Sequence, residues 1–169
     1  MKKAILLFAF LAVMASALSA QTRPIRKFIH KHNNGPENVS FTVPGWLIGL
    51  ASDIGMSVAE EEEERAAFQL AQSLGTTRFL TFQSSDFNTN ADIKRLLKEL
   101  EHEHGFERWA TVRAASGERI DLTVGMKGDH VRHIVAIINA SDDGQTVFLH
   151  ARTDFTAEEV GEILNELME

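Results

Sequence analysis

Four strand-like runs in the last third of the chain decide the fold. They are ERWATVRAA (residues 107–115), ERIDLTVGM (118–126), HVRHIVAIIN (130–139) and QTVFLHAR (145–152). The connections between them, SG, KGD and ASDDG, are short and rich in turn-forming residues, which is typical of hairpins. We therefore predict an antiparallel four-stranded meander at the C-terminal end of the domain.

The apolar pattern inside this meander predicts where two of its strands lie. From Ile120 to Met126 apolar and polar residues alternate, so this strand should have one buried and one solvated face. From Ile134 to Ile138 every residue is apolar, so both faces of that strand should be covered. We expect it at the centre of the sheet.

Two strands and one further apolar segment are predicted earlier in the chain. NVSFTV (residues 38–43) alternates Val39, Phe41 and Val43 with polar residues, which predicts a half-buried strand. TTRFLTFQ (76–83) is a second strand, and WLIGLAS (46–52) is an apolar turn or short helix.

Three helices are predicted from apolar residues repeated at intervals of three and four. The first is a short helix between Pro24 and Asn33. The second runs from about Val58 to Leu74, starts with a reciprocal cap between Ser57 and Glu60 and is closed by Gly75. The third closes at Gly105 and carries the apolar residues Ile93, Leu96, Leu97 and Leu100.

A last helix is predicted after the meander. Thr156 and Glu159 have the spacing of a capping box, and Phe155 and Val160 occupy the staple positions around it. We expect this helix to lie across the sheet. The fold class is therefore α+β: an antiparallel sheet of about five to six strands, with helices packed mainly on one face.

The first twenty residues have the pattern of a secretory signal peptide. Lys2 and Lys3 precede an apolar run from Ala4 to Val13 and then small residues. We expect residues 1–20 to be removed on export, which leaves residues 21–169 as a single α+β domain in the periplasm or secreted. The chain has no cysteine, so no disulfide stabilises it in a compartment that would permit one.

The charge of the chain narrows the class of partner. The formal net charge is −7, which argues against nucleic acid or an anionic membrane as the partner, because both require clusters of Lys and Arg. We also expect no membrane span in the mature chain and no cofactor. The oligomeric state is left open.

Two pairs of histidines fail the test for a local metal site, since chelation needs both rings on one side of an element. His30 and His32 lie two apart in a predicted helix, so their side chains point in nearly opposite directions. His130 and His133 lie three apart in a predicted strand and should face opposite sides of the sheet.

A third pair, His102 and His104, lies at the end of a predicted helix. We expect His104 to be partly buried and His102 exposed, so the two rings should not chelate a metal. Gly105 should adopt the left-handed conformation that ends many helices, with Phe106 packed near Leu100.

The remaining motifs also favour structural interpretations. The glutamates from Glu60 to Glu64 suit the first turn of a helix and its solvated face. The segment NASDDG (139–144) resembles the start of a calcium loop, but the twelfth position is His150 instead of a glutamate, so we predict a hairpin. We interpret Trp46 and Trp109 as core residues in preference to recognition residues.

No catalytic constellation is visible in the sequence. The chain lacks a thiol, a G-x-S-x-G motif and a glycine-rich phosphate loop after a strand. We therefore assign no catalytic, cofactor-binding or metal-binding residue, and we expect that the protein is not an enzyme.

Three segments together resemble one protein family: FIHKHNNGPENVSFTVPGWLIGLA (28–51), RFLTF (78–82) and VRHIVAIINASDDGQTVFLHARTDFTAEEV (131–160). This combination, after the signal peptide, is similar to the domain-of-unknown-function family 4252, small exported proteins of certain Gram-negative bacteria. The resemblance implies an envelope location and an α+β fold, and it carries no site residues.

The expected function is therefore that of a non-catalytic, exported module that binds another envelope protein or has a regulatory role in the envelope. Two alternatives remain. One is a metal or small-ligand carrier that uses histidines brought together by folding, and the other is a hydrolase with a dispersed site.

Overall fold

The structure of the protein is a computed structural model, and it describes residues 22–35, 37–59, 62–113, 119–139, 144–156 and 158–159. The helices in these residues are α1 (Arg23–His32), α2 (Gly45–Val58), α3 (Glu62–Gln72) and α4 (Phe87–Glu103). The strands are β1 (Val39–Val43), β2 (Leu74–Gln83), β3 (Phe106–Arg113), β4 (Arg119–Lys127), β5 (His130–Asn139) and β6 (Gln145–Thr156).

The six strands form one antiparallel sheet in the order β1-β2-β6-β5-β4-β3. The α+β class and the C-terminal meander are therefore confirmed. The strand β5 lies with β6 at the centre of the sheet, as its apolar pattern predicts. Val135, Ala136 and Ile137 are buried, whereas Ile134 and Ile138 are only partly buried.

The main hydrophobic core lies between one face of the sheet and the helices α1 and α4. Phe28 of α1, Leu100 of α4 and Phe148 of β6 are all buried in it. The rings of Phe28 and Phe148 lie 4.9 Å apart between centroids. Burial of such large apolar side chains is the main force that holds these two helices on the sheet.

The end of α4 confirms the sequence prediction. Gly105 has a φ of 66°, Phe106 and Leu100 are buried in the same cluster, and His102 is exposed while His104 is partly buried. At its start, α4 is capped by Asp86, whose Oδ1 accepts a hydrogen bond from the backbone N–H of Thr89 at 3.0 Å.

The helix predicted from about Val58 to Leu74 is present as α3, which is shorter and runs from Glu62 to Gln72, so its predicted start and cap are wrong. The segment WLIGLAS instead begins a long helix, α2, which ends at Val58. Ser57 is not a cap, since its Oγ donates to the carbonyl of Ile54 at 2.6 Å in the last turn of α2; Glu60 lies outside the described residues. The buried, extended residue Ala59 breaks the helix, and α3 folds back on α2.

Gly75 does not end a helix either, because it lies in β2. A side chain at Gly45 would place its Cβ 2.9 Å from the Cα of Gly75. The two glycines therefore let the start of α2 approach the backbone of β2, a contact that no local pattern in the sequence reveals.

Two burial patterns also differ from the predictions. In β1, the side chains of Val39 and Phe41 are exposed. The strand β1 lies at the edge of the sheet, and no described residue covers these two side chains fully. In β4, Thr123 and Gly125 are buried although we predicted a solvated face. The ring of Phe106 covers Gly125, where an added Cβ would lie 2.8 Å from the ring.

The capping box after β6 is present. The backbone N–H of Glu159 donates to Oγ1 of Thr156 at 3.2 Å, and the backbone N–H of Thr156 donates to the Glu159 carboxylate at 2.6 Å. The rest of the predicted last helix, the signal segment and the tip of the NASDDG hairpin lie outside the described residues. Within the described part of the chain, no helix is long and apolar enough to span a membrane.

Candidate functional site

Most of the large apolar side chains exposed in the described residues belong to one short segment. Seven of these eight side chains lie between Val39 and Val58. They are Val39, Phe41, Trp46, Leu47, Leu50, Ile54 and Val58, and we call them the apolar surface. Scattered exposed apolar residues are ordinary, whereas a concentration of them is typical of an interaction site.

The helix α2 exposes five of its large apolar side chains, and its two buried residues are small. Trp46, Leu50 and Ile54 are spaced by four residues and so lie along one side of the helix. On the side that faces α3, Ser52 and Gly55 are buried, and Gly55 lies directly under the ring of Phe68. An ordinary surface helix has the opposite arrangement, with its large apolar residues facing the core.

The strand β1 adds an unprotected sheet edge next to this helix. Among the described strands β1 pairs with β2 alone, and its sequence VSFTV has no charged residue. Phe41 stacks on Phe79 of β2 with ring centroids 4.7 Å apart, yet about half of its surface stays exposed. A flat, uncharged edge is a template for pairing with another chain.

The opposite edge of the sheet, the strand β3, has features that discourage pairing with another chain. The strand β3 carries Glu107, Arg108 and Arg113, and its register shifts between Arg108 and Ala110. Charges and such irregularities discourage the addition of another strand. The contrast between the two edges sets β1 apart as a surface suited to contact with a partner.

The apolar surface is also almost free of charge. Asp53 is the one charged residue from Val39 to Val58, and its Oδ1 accepts a hydrogen bond from Gln72 of α3 at 2.6 Å.

The prediction that Trp46 lies in the core is wrong, since its side chain is 72% exposed. Trp109 packs against a buried cluster around Val131, as predicted.

A signal for this surface was present in the sequence but needed a different interpretation. In GWLIGLASDIGMSV the residues Trp46, Leu47, Leu50, Ile54 and Val58 fall on one side of a helix, and Gly45, Ser52 and Gly55 fall on the other. Periodicity by itself does not say which of the two sides faces the protein.

The histidine pairs are separated as predicted. His30 is exposed and His32 is buried, and His133 is buried while His130 is half exposed beside Asp154. The fold does bring histidines together elsewhere: Nε2 of His150 lies 3.4 Å from Nδ1 of His133. Burial lowers the pKa of His150 to about 3 and that of His133 to about 4, with Arg152 adding to both shifts.

Folding also assembles a hydroxyl, an imidazole and a carboxylate. Nδ1 of His32 lies 3.1 Å from Oγ1 of Thr89, and Nε2 of His32 lies 3.0 Å from Oδ2 of Asp92. Thr89 is fully buried, and its hydroxyl donates to Asp86 at 2.6 Å. The hydroxyl of Thr89 is buried and donates its proton to the cap residue Asp86, so it cannot react with a substrate. We interpret His32, Thr89 and Asp92 as contacts that join α1 to α4.

One local group near the helix end has the composition of metal ligands. Ligand atoms of Glu99, Glu103 and His104 lie within 4.8 Å of one another, whereas His102 is not part of the group. These side chains sit at the protein surface, where carboxylates often cluster without a metal.

The other acidic motifs lie only in part within the described residues. Glu64 is exposed, as the prediction of a solvated face requires. His150, the twelfth position of the supposed calcium loop, is a buried residue of β6. The pairing of Asn139 with Thr146 makes the segment between β5 and β6 a hairpin connection.

Comparisons with known proteins identify a family and nothing more specific. Residues 32–163 match the family model described as a domain of unknown function (DUF4252). No curated protein and no solved structure matches the chain.

Proposed function

The chain belongs to the DUF4252 family, a domain of unknown function, and we propose that it is a non-catalytic interaction module that binds another protein of the cell envelope. The observation that carries this proposal is the apolar surface of α2 and β1. Large side chains exposed there would gain free energy from burial against a partner, at about 25 cal/mol per Å² of apolar area.

The chemistry of the surface favours a protein partner with an apolar, uncharged face. Because Asp53 is its one charged residue, a charged partner would find no complementary group. An anionic membrane is a poorer match, since helices that lie on such membranes carry Lys and Arg on their polar side and α2 has neither. The partner we propose covers α2 and pairs with, or packs on, the free edge of β1.

Export is part of the same proposal. The basic, apolar and small-residue order of residues 1–20 supports a cleaved signal peptide, which would place the partner in the periplasm or outside the cell. Amino-terminal sequencing of the protein recovered from the periplasmic fraction tests this step. A chain that starts at Met1 in the cytoplasm would contradict it.

Site-specific photo-crosslinking in the native host tests the surface. A photoreactive residue at Leu50 should give a discrete crosslinked product of higher mass, and the same residue at Lys98, an exposed position of α4, should not. Trp46→Ser and Ile54→Ser should abolish the product while the circular dichroism and melting temperature of the protein stay unchanged, because both side chains are exposed.

Three outcomes would contradict the proposal. Crosslinks only to a second copy would make the surface a dimer contact, and crosslinks only to lipid would make it a membrane contact. A specific hydrolytic turnover of the purified mature protein, abolished by one polar substitution, would show that the chain is an enzyme.

A further inference from the structure

A strongly basic pocket of about 370 Å³ lies on the helix-covered face of the sheet, beside the first turn of α1. Five cationic side chains and one histidine contribute to its lining: Arg26, Arg78, Lys127, Arg132, Arg152 and His133. No carboxylate lines it among the described residues. Such a concentration of positive charge is unexpected in a chain with a net charge of −7.

Most of this positive charge has no counter-charge. Arg132 is paired, since its Nη1 lies 2.7 Å from Oδ1 of Asp154. Within the described part of the chain, the other four cations form no salt bridge. The pKa of Arg78 is lowered from its ordinary value by burial and by the positive charges of Arg26 and Arg152. The folded protein therefore holds like charges together at a cost in free energy that a bound anion would offset.

The fold itself creates this convergence. Arg78 of β2 pairs with His150 of β6, and Arg152 of β6 pairs with His133 of β5, so neighbouring strands direct these groups to one end of the sheet. The positive end of the α1 dipole lies at the same place, where Thr22 provides no side-chain cap. The segment that precedes Thr22 contains no Asp or Glu and so offers no carboxylate to the pocket.

We propose that the basic pocket binds an anionic phosphate group, either of a free phosphate compound or of the headgroup of a phospholipid. Guanidinium groups donate two parallel hydrogen bonds to phosphate oxygens, and Arg78 and Arg152 line the pocket without forming a salt bridge to any described residue. Lys127 supplies a further positive charge. The volume of the pocket exceeds that of one phosphoryl group, so a small organic phosphate fits as well.

Calorimetric titration of the full mature protein with inorganic phosphate, at constant ionic strength, tests the site. We expect saturable binding, and Arg152→Gln or Arg78→Gln should weaken it about tenfold or more, the usual effect of losing one charge-assisted contact. The matched control is Arg113→Gln, which removes the same charge from an exposed position of the distant edge strand β3 and should leave the affinity unchanged.

Co-sedimentation with vesicles distinguishes the two sources of the phosphoryl group. Binding to phosphatidylglycerol vesicles but not to phosphatidylcholine vesicles, lost in Arg152→Gln and kept in Arg113→Gln, assigns the site to a lipid headgroup. Phosphate binding without vesicle binding assigns it to a soluble phosphate. No binding of either probe, or equal losses in Arg152→Gln and Arg113→Gln, overturns the proposal.

Thermal unfolding shows whether a loss of phosphate binding in Arg152→Gln comes from the lost contact or from a folding defect. Without phosphate, Arg152→Gln should melt at the same or a higher temperature than the original protein, because it relieves repulsion with Arg78. With phosphate, the original protein should gain more stability from the ligand than Arg152→Gln does at the same phosphate concentration. An Arg152→Gln protein that melts lower and binds phosphate normally would show a structural role and overturn the proposal.

Discussion

His133 and His150 stack on each other inside the sheet, with ring centroids 5.4 Å apart and their facing nitrogens at 3.4 Å. They come from the two central strands, and both are buried. The Nδ1 atom of His150 has no hydrogen-bond partner among the described residues. Because burial disfavours the charged ring, both histidines keep a lowered pKa in the folded protein, about 4 for His133 and about 3 for His150.

The histidine pair should make the protein less stable in mild acid. Below pH 6.5 the unfolded chain binds protons that the folded chain does not accept until about pH 4. Stability is therefore fully present above pH 6.5 and falls as the pH falls toward 4, on the order of 3 kcal/mol for His133. Urea unfolding between pH 7.5 and pH 4 measures this decline.

A variant and a control assign the decline to this pair. His150→Leu should make the unfolding free energy depend less steeply on pH, because it removes the share of His150 and leaves that of His133, while His102→Gln, at an exposed position, should leave the dependence unchanged. An identical decline in the His150→Leu protein would contradict the assignment.

Asp92 should be important for the attachment of α1 to α4. It accepts hydrogen bonds from Lys31 and His32 of α1 and from Arg95 of its own helix, and the bond from Lys31 is the first cause of its lowered pKa. Asp92→Asn should lower the free energy of unfolding by about 1–3 kcal/mol. Chemical denaturation measures the change, and Asp129→Asn, at an exposed turn, is the matched control. This control should change the free energy of unfolding by less than about 0.5 kcal/mol.

Two of the glycines of α2, Gly49 and Gly55, should respond in opposite directions to the same substitution. Gly49→Ala places a methyl group in open space and should stabilise the protein by about 0.5–1 kcal/mol, because alanine favours a helix. Gly55→Ala places its methyl group 2.2 Å from the ring of Phe68 and should destabilise the hairpin of α2 and α3 by about 1–3 kcal/mol. Thermal unfolding compares the two, and equal effects would mean that α3 does not pack on Gly55.

Gly105 should be required at the end of α4. Its φ of 66° suits glycine, and a Cβ there would meet no neighbouring atom, so the cost of substitution comes from the backbone alone. Gly105→Ala should lower the free energy of unfolding by about 1 kcal/mol, and Gly105→Asn should lower it less, because asparagine tolerates this conformation better. Equal losses in the two variants would argue against a left-handed cap.

Local patterns were sufficient to predict α4 and the four strands of the meander, which are the elements that the structure describes in the second half of the chain. Turn residues separate the runs of the meander, and the apolar spacing of α4 places Leu96 and Leu100 in the core as predicted. Gly105 and the Thr156–Glu159 cap follow the same local rules. These predictions are confirmed because neighbouring residues provide the interactions that determine them.

Predictions failed where contacts between distant residues determine the outcome. The break at Ala59 depends on the packing of α3 against Gly55 of α2, and the exposure of Trp46 depends on which side of α2 that packing covers. The prediction that Trp46 is buried followed from its hydrophobicity, which does not specify the partner that would cover it.

The sequence by itself determined the α+β class, the meander, the glycine at the end of α4 and the Thr156–Glu159 cap, since hydrophobic period and capping act over a few residues. Only the tertiary structure decided which groups meet: His133 with His150, His32 with Asp92, and four unpaired cations around one pocket. The physical reason is that strand pairing and helix packing set distances between residues far apart in the chain. Charge density, burial and pKa depend on those distances.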